Sequence, residues 1–334
     1  MKAAVLSSFG PMETEPLQIV DWPHPLPGPR EIVVKVSVCG ICHTELDEIE
    51  GRVAPILPIV PGHQIVGRVN RLGSKVTKFK LGDRVGIGWI NSACGKCEFC
   101  REGNENLCHE FRGTGCHANG GYAQYVVVLE DFASPIPERF SDAEAAPLLC
   151  AGAIGYRDLR LSGVKEGQRI GLFGFGASAH IVIQVSRYWG CDVFVFTRSE
   201  EHRTLAKKLG AAWVGGPEEK PPKKLHCAID FTPVGETVPL ALRTLDKGGR
   251  LVVAVIRKRN LIPPLDYAEL LWDEKEMKSV ANVTKKDIQE FLSLAAQIPI
   301  IPEVQEFDLR EANRALIMLK EGKIQGAGVL RIPE

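Results

Sequence analysis

Residues 168–190 read QRIGLFGFGASAHIVIQVSRYWG, which is an apolar strand, a glycine-rich turn and a helical segment in direct succession. The turn carries a G-x-G-x-x-A motif between strand and helix, the context in which this motif predicts dinucleotide binding. The first glycine permits a tight turn, the second lets the backbone approach a pyrophosphate, and the small third residue allows helix–strand packing. Free N–H groups at the helix N-terminus attract phosphate. The predicted cofactor-binding residues of the turn are Gly174, Gly176, Ala177, Ser178 and Ala179.

Strands and helices alternate after this motif, which predicts βαβ units and a parallel sheet. Residues 1 to about 150 instead carry short β-branched runs between glycines and prolines, as in a compact β-rich domain. The final apolar run, GAGVLRI, is expected to return to that first domain. We therefore predict an α/β chain with a β-rich domain of residues 1–152 and 282–334, and an inserted doubly wound parallel-sheet domain of residues 153–281.

Four cysteines follow the spacing C-x2-C-x2-C-x7-C, which suits four thiolates around one tetrahedral Zn²⁺. Gly95 and Gly103 allow so short a segment to loop back on itself. A disulfide knot is the alternative, but the chain shows no secretory leader and is expected to be cytoplasmic, where thiols stay reduced. A four-cysteine site is closed. The lobe of residues 91–110 is thus predicted to hold structural zinc through Cys94, Cys97, Cys100 and Cys108.

The charge balance argues against two classes of partner. Lys plus Arg and Asp plus Glu both number 41, so the formal net charge is zero and no long-range field attracts nucleic acid or an anionic membrane. The apolar runs are interrupted well before the ~20 residues that cross a bilayer. We expect no nucleic-acid and no membrane partner.

A second set of possible metal ligands lies outside the lobe. Cys42 begins C-H-T-E, His63 lies in P-G-H-Q, and Cys150 lies in L-L-C-A-G. Two sulfurs and one imidazole leave a fourth position open, as in catalytic zinc sites, but none of the three signals is specific alone. Cys39 and Cys42 also form C-x-x-C, so a redox motif or another ligand choice stays open. We interpret Cys39 as a buried spectator, because the motif is expected in a β-rich segment rather than at a strand-to-helix turn.

These motifs, with DRVGIGWINSACGKCEFCREGNENLC, GGYAQYVVV and LDKGGRLVVAV, resemble the zinc-dependent alcohol dehydrogenases of the medium-chain dehydrogenase/reductase superfamily. The cysteine lobe and the C-H-T motif, in this order and spacing, are highly specific. The resemblance implies a GroES-like β-rich catalytic domain and a Rossmann domain. It also implies Cys42, His63 and Cys150 as the ligands of catalytic zinc, so that each chain holds two zinc ions.

The resemblance further implies an activity. It is reversible hydride transfer between a small primary or secondary alcohol and NAD(P)+, with zinc as the Lewis acid. Thr44 would hydrogen-bond the alcohol and pass its proton toward His43 or Asp47, and His43 would also lie beside the cofactor pyrophosphate. Trp89 and Val53 would line the substrate pocket.

Four positions depart from the family pattern. Glu45 stands where an Asp usually orients the histidine ligand, and Gln64 replaces a Glu near the zinc, which should make the metal more electrophilic. Ile154, in the predicted pocket, replaces a Thr that contacts the nicotinamide, and Asp47 stands where some relatives have a relay histidine. The alternative is a degenerate member that binds nucleotide as a zinc protein, or a metal-independent NADPH reductase. Retention of all three ligands argues against it.

The end of the second strand of the inserted domain bears on the choice of cofactor. The residues there are Thr197, Arg198 and Ser199, with no carboxylate at the place usual for NAD sites. A guanidinium with two hydroxyls suits a 2′-phosphate, so NADP(H) is predicted over NAD(H), although Glu200 or Glu201 could still reach the ribose.

The family also sets an expectation for assembly. Its members form dimers and tetramers, so a homodimer or homotetramer is expected. The apolar strand GGRLVVAVI, residues 248–256, is predicted to pair across the two-fold axis.

Overall fold

The computed structural model describes residues 1–324 and 326–334 of the chain. These residues form two compact units. The β-rich unit comprises Met1–Cys150, Val283–Ala296 and Ile301–Glu334, and the parallel-sheet unit comprises Ala151–Asn282 and Gln297–Ile300. Residues 151–152, 282 and 297–300, predicted as part of the first domain, thus group with the second unit.

Among the described residues, strands outnumber helices in the β-rich unit, whereas strands and helices largely alternate in the parallel-sheet unit. The strands are β1 (Lys2–Leu6), β2 (Leu17–Asp21), β3 (Glu31–Gly40), β4 (Gln64–Leu72), β5 (Arg84–Ile87), β6 (Ile90–Ser92), β7 (Arg112–Gly113), β8 (Tyr125–Leu129), β9 (Ala133–Pro135), β10 (Arg169–Phe173), β11 (Asp192–Phe196), β12 (Trp213–Gly215), β13 (Leu225–Asp230), β14 (Leu245–Val253), β15 (Glu276–Ser279), β16 (Val304–Asp308) and β17 (Ala327–Arg331). The α-helices are α1 (His43–Ile49), α2 (Glu98–Arg101), α3 (Asp142–Ala145), α4 (Ala151–Ser162), α5 (Ala177–Tyr188), α6 (Glu200–Lys208), α7 (Thr237–Thr244), α8 (Tyr267–Leu270), α9 (Lys285–Gln297) and α10 (Ala312–Lys320).

The β-rich unit is built on one sheet in the order β16-β17-β3-β4-β5-β9, with β8 also paired to β3. Strands β3 and β4 are antiparallel, and their register places Gly40 opposite Gln64. Alternate residues of β3, such as Ile32 and Val34, are fully buried in an aliphatic core. The final strand β17 pairs antiparallel with β3, with Leu330 opposite Cys39.

Charged side chains tie the C-terminal helix α10 to the helix α1 that follows β3. The Lys320 ammonium lies 2.6 Å from Glu13 and 2.7 Å from Glu50. Arg52 bridges Glu50 and Asp47, with its Nε 2.5 Å from an Asp47 carboxylate oxygen. Burial disfavours ionisation of Glu50, but its hydrogen bonds to Lys320 and Arg52 outweigh this and lower its pKa to about 2. The C-terminal half of α1 is thus fixed by ionised groups at neutral pH.

The parallel-sheet unit has six parallel strands in the order β12-β11-β10-β13-β14-β15. Successive strands run outward from β10 to β12, and the chain then returns to β13 on the other side of β10. Such a reversal forms a crevice at the carboxyl ends of the two central strands, where doubly wound folds bind ligands. Phe173 and Phe196 stack in the core with ring centroids 4.0 Å apart, and Trp213 packs against them.

Two expectations from the sequence are wrong. Strand β14, which contains most of residues 248–256, lies between β13 and β15 and offers no edge for pairing with a second copy. The C-x-x-C pair Cys39 and Cys42 lies at a strand-to-helix junction, because β3 ends at Gly40 and α1 begins at His43. In the part of the chain that the structure describes, every helix is too short or too polar to cross a membrane.

Candidate metal centres and nucleotide-binding turn

Cys42, His63 and Cys150 come together within the β-rich unit. Their three ligand atoms lie within 4.8 Å of one another, and His63 Nε2 is 3.2 Å from Cys150 Sγ. The pairing of Gly40 with Gln64 brings two of the three residues together, because Cys42 lies two positions after Gly40 and His63 directly precedes Gln64. Residues 21 positions apart in sequence therefore become neighbours.

Two local features place the remaining atoms. Gly62 has φ of +98°, and a Cβ there would lie 2.4 Å from a Tyr122 ring carbon, so this turn before His63 requires glycine. A 3₁₀ helix, Ala146–Leu149, packs against β4 and β5 and ends at Cys150. Its position brings the third side chain to the other two.

The carboxylate of Glu45 orients the imidazole of His63. Its Oε1 lies 2.6 Å from His63 Nδ1, and its Oε2 accepts a 2.7 Å hydrogen bond from the Cys42 backbone N–H. Both side chains are fully buried. Although burial disfavours the imidazolium, the Glu45 charge outweighs it and raises the pKa of His63 well above its usual range. Because Nδ1 faces Glu45, Nε2 is the nitrogen directed at the two cysteines.

The donor set fits zinc. One imidazole nitrogen and two sulfurs are ligands that Zn²⁺ prefers, at ~2.0–2.3 Å, and three protein ligands leave one position open. A hydrogen bond from the Cys150 thiol lowers the pKa of Cys42 well below its usual range, and the same contact raises the pKa of Cys150. One thiolate is therefore already favoured, and a cation between the sulfurs would favour the second.

The four-cysteine lobe forms a second cluster. The ligand atoms of all four lie within 4.8 Å of one another, and Cys94 Sγ is 3.9 Å from Cys100 Sγ. A tetrahedral zinc–thiolate site places sulfurs about 3.8 Å apart. Backbone N–H groups of Lys96 and Cys97 point at Cys94 Sγ and lower its pKa to about 6. All ten cysteines are free, so the disulfide alternative for this lobe is wrong.

The predicted relay residues lie on the first turns of α1. Thr44 is buried, with its Oγ1 3.6 Å from Cys42 Sγ, whereas His43 is exposed. Asp47 is half-buried and held by Arg52 in the charged network described above. Sequence reasoning missed Arg52, because its pairing with Asp47 depends on helix α1, which the sequence does not reveal.

Aromatic and small apolar side chains pack beside the first metal centre. The Trp89 ring meets the His63 ring edge-on at 5.0 Å, and Phe111 stacks on Trp89 at 6.4 Å. Val53 packs against the same cluster. Ile154, the third predicted pocket residue, lies half-buried on α4 in the parallel-sheet unit. Phe111 was missed because nothing in its local sequence distinguishes it from a core residue.

Two further buried polar residues surround the centre. Gln64 is 4% exposed at the start of β4, and its side chain lies over Gly40, where a Cβ would come within 3.0 Å of it. Glu48 is 1% exposed on α1, and burial raises its pKa well above the usual range. The Glu48 carboxyl was missed, because an acid in a helix is usually solvated.

The glycine-rich turn has the geometry that phosphate binding requires. Gly174 has φ of +83°, and its N–H donates to the Phe196 carbonyl at the end of the adjacent strand. Gly176 precedes the first residue of α5, and a Cβ there would have no heavy atom within 4 Å. Ala177 and Ser178 begin the first turn of α5 and are half-buried, whereas Ala179 is fully buried.

The residues after β11 have different environments. Thr197 is buried, and its N–H donates to Gly215. Ser199 caps α6 by accepting a hydrogen bond from the His202 backbone N–H, and its O–H is still able to donate to a ligand. Arg198 is exposed, and among the described residues its side chain has no hydrogen bond or ion pair. Glu200 is paired with Arg203 at 3.1 Å.

Comparison with known families matches both units of the chain. Residues 28–138 match the alcohol dehydrogenase GroES-like domain, and residues 179–297 match the zinc-binding dehydrogenase family. The predicted fold class, a GroES-like domain with a Rossmann parallel sheet, is confirmed.

Individual relatives extend over the whole chain. The probable alcohol dehydrogenase AdhA of Mycobacterium tuberculosis is 44% identical over 97% of this chain and 95% of its own length. An alcohol dehydrogenase of Geobacillus stearothermophilus is 35% identical with full coverage of both chains. The crystal structure of CAD from Helicobacter pylori complexed with NADP(H) superimposes with a TM-score of 0.90 at 25% identity, covering 99% of each chain. The chain belongs to the zinc-dependent alcohol dehydrogenase family, whose members use zinc and a nicotinamide dinucleotide to interconvert alcohols and carbonyl compounds.

Proposed function

We propose that Cys42, His63 and Cys150 hold the catalytic zinc of this alcohol dehydrogenase, and that Cys94, Cys97, Cys100 and Cys108 hold a structural zinc. The observation that carries the proposal is the convergence of one imidazole nitrogen and two sulfurs within 4.8 Å, with the nitrogen selected by Glu45. The proposed substrates are small primary or secondary alcohols and the matching aldehydes or ketones. When bound, zinc supplies Lewis acidity and the dinucleotide supplies the redox equivalent.

Thr44 is proposed to position the alcohol and hold its proton. A hydroxyl accepts one hydrogen bond while donating another, and Thr44 is the buried hydroxyl beside Cys42. Of the two candidate final acceptors, His43 is favoured, because its ring is exposed and can exchange protons with water. The Asp47 carboxylate is already engaged by the Arg52 guanidinium.

The apolar cluster beside His63 supports a narrow substrate site. Trp89, Phe111 and Val53 present ring and methyl surface on the side where the Trp89 ring meets His63. Such a wall excludes bulky polar substrates and accepts a short hydrocarbon chain.

Zinc content and activity of matched cysteine variants test the ligand roles. Wild type is expected to hold about two zinc ions per chain by plasma mass spectrometry and to oxidise small alcohols. Cys150→Ala should retain one zinc ion and its thermal stability, and lose activity by about a thousandfold or more. Cys94→Ser should lower thermal stability as well as zinc content.

Each of two results would contradict these roles. If Cys150→Ala kept its activity, the chain would act as a metal-independent reductase. If Cys94→Ser lost activity with its stability unchanged, the two metal sites would be misassigned.

Glu45 is proposed to fix the His63 ring for zinc, so its truncation should weaken metal binding. In chelator competition, Glu45→Ala should bind the catalytic zinc about 10–100-fold more weakly than wild type. Glu45→Asp should restore part of the affinity, because it retains a carboxylate. Glu130→Ala is the matched control, since it removes another buried carboxylate that accepts hydrogen bonds from backbone N–H groups, at Thr77 and Lys78, but should leave zinc affinity nearly unchanged. Equal losses in both variants would refute a specific role for Glu45.

NADP(H) is the proposed cofactor. Arg198 is an exposed guanidinium without a described partner, and the nearby Glu200 is engaged by Arg203. Arg198→Asp should therefore reduce the preference for NADPH over NADH, measured as a ratio of kcat/KM, by about tenfold or more. Arg187→Asp changes the charge equally at an exposed residue near the C-terminal end of α5 and should leave the ratio unaltered. An unchanged ratio in Arg198→Asp would exclude binding of a 2′-phosphate by this residue.

A homodimer formed through β15 is the proposed assembly, and a tetramer would require a second interface. Strand β15 is the outer strand of its sheet, all four of its residues are exposed, and Trp272 just before it is 67% exposed. An exposed strand edge beside large apolar side chains is suited to pairing with a second copy.

The proposed location is cytoplasmic, which the ten free cysteines support.

Light scattering after size exclusion tests this assembly. Wild type should have twice the 36.6 kDa mass of one chain or a higher multiple, and Trp272→Lys should shift it toward the monomer. Leu81→Lys, which alters another exposed apolar residue in the β-rich unit, should not. A monomeric wild type would disprove the interface.

A further inference from the structure

A buried ion pair in the parallel-sheet unit has no part in the roles described so far. Lys258 Nζ lies 2.5 Å from a carboxylate oxygen of Asp230 and donates to the Thr232 carbonyl at 2.6 Å. The Asp230 side chain is fully buried, and that of Lys258 is 10% exposed. The other Asp230 oxygen accepts hydrogen bonds from the backbone N–H and the hydroxyl of Thr232. The carboxylate is thus fully used inside the unit.

The segment that carries Lys258 is hydrogen-bonded to residues that follow β13. The Arg259 N–H donates to the Pro233 carbonyl at 2.7 Å, and the Asn260 side chain accepts from the Gly235 N–H at 3.1 Å. The ammonium is therefore held in one place by backbone contacts on the residue that follows it and by its own two acceptors.

This place borders the glycine-rich turn. Strands β10 and β13 are neighbours, and the Phe231 N–H donates to the Phe173 carbonyl where both strands end. A Cβ on Gly174 would lie 3.1 Å from the Thr232 methyl group, so Thr232 touches the turn. Lys258 thus lies at the carboxyl end of the sheet, on the β13 side of the point where the strand order reverses.

The direction of a bound dinucleotide follows from the same topology. Arg198, at the end of β11, lies on one side of β10 and is proposed to bind the adenosine half. The pyrophosphate belongs at the Gly174 turn on β10 itself. The nicotinamide half must then lie over β13 and β14, which is the side that carries Lys258.

Stability alone does not account for this ion pair. Burying two opposite charges costs so much hydration that neutral side chains of similar volume often serve a fold equally well. A lysine ammonium has three N–H groups, and within residues 1–324 and 326–334 the structure provides acceptors for two of them. Among these residues the third N–H has no acceptor, and the Lys258 side chain keeps 10% of its surface exposed.

We propose that Lys258 is a cofactor-binding residue, which donates its third N–H to an oxygen of the nicotinamide–ribose half of the dinucleotide. Asp230 and the Thr232 carbonyl act as positioning groups that hold the ammonium in place before the cofactor arrives. This inference rests on the proposed binding of the dinucleotide at Gly174. It adds a residue whose role is confined to one half of that cofactor.

Calorimetric titration of the zinc-loaded protein with two probes tests the proposal. NADPH carries both halves of the cofactor, whereas 2′,5′-ADP carries the adenosine half alone. Lys258→Met should weaken NADPH binding about tenfold or more and leave binding of 2′,5′-ADP within about twofold. Lys258→Met/Asp230→Asn removes the unpaired charge that the single change leaves behind, so it keeps the test valid should Lys258→Met fold poorly, and it should show the same selective loss.

A second lysine of the parallel-sheet unit that also forms an ion pair provides a control. Lys247 pairs with Asp273 at the amino end of β14, remote from the crevice, and Lys247→Met should leave both affinities unchanged. Equal weakening of both probes, or no weakening of NADPH, would overturn the role of Lys258 and leave the proposed function intact. Failure of the wild type to bind either probe would instead refute the proposed dinucleotide site.

Discussion

The antiparallel register of β3 and β4 is the constraint on which the metal chemistry depends. With Gly40 opposite Gln64, β3 ends two residues before Cys42, and β4 begins directly after His63. A slip of one residue would turn alternate side chains to the opposite face of the sheet and separate the two ligands. The buried aliphatic residues of β3 fix the register, since a slip would also move Ile32 and Val34 out of the core. One strand register therefore both buries the core residues of β3 and places the two candidate ligands side by side.

The parallel-sheet unit places its groups by a different rule. Parallel strands all end at one edge, so residues that follow β10, β11 and β13 meet there although they are far apart in sequence. Gly174 and Thr197 directly follow β10 and β11, and Asp230 is the last residue of β13. The backbone N–H of Gly174 donates to Phe196, and that of Phe231 donates to Phe173, so hydrogen bonds between the strand ends lock the edge that the ligand would meet.

Features with a local sequence pattern were predictable, and features made by contacts between distant residues were not. The strand, turn and helix of residues 168–190 and the four-cysteine cluster were both evident in the sequence, because each is encoded within about 20 residues. Helix α1 was missed because its seven residues are too few to show a helical period beside a long strand. Strand β14 was misread as an edge, since apolar composition does not tell which strand lies next to it.

The buried ion pair of Asp230 and Lys258 shows most clearly what could not be predicted from the sequence. Asp230 ends an apolar strand in the sequence HCAID, which marks it as unusual, but its partner Lys258 lies 28 residues later in a segment without secondary structure. Only the fold shows that the two meet at the edge that carries the glycine turn. Since the chain has no net charge, no long-range field draws in an anionic dinucleotide, and attraction must come from individual cations at the site. A fixed, nearly buried ammonium acts through a medium of lower dielectric than an exposed guanidinium does, so its interaction is stronger and more dependent on geometry. With the proposed roles, Arg198 would select the kind of cofactor through an exposed contact, whereas Lys258 would fix the orientation of the half that reacts.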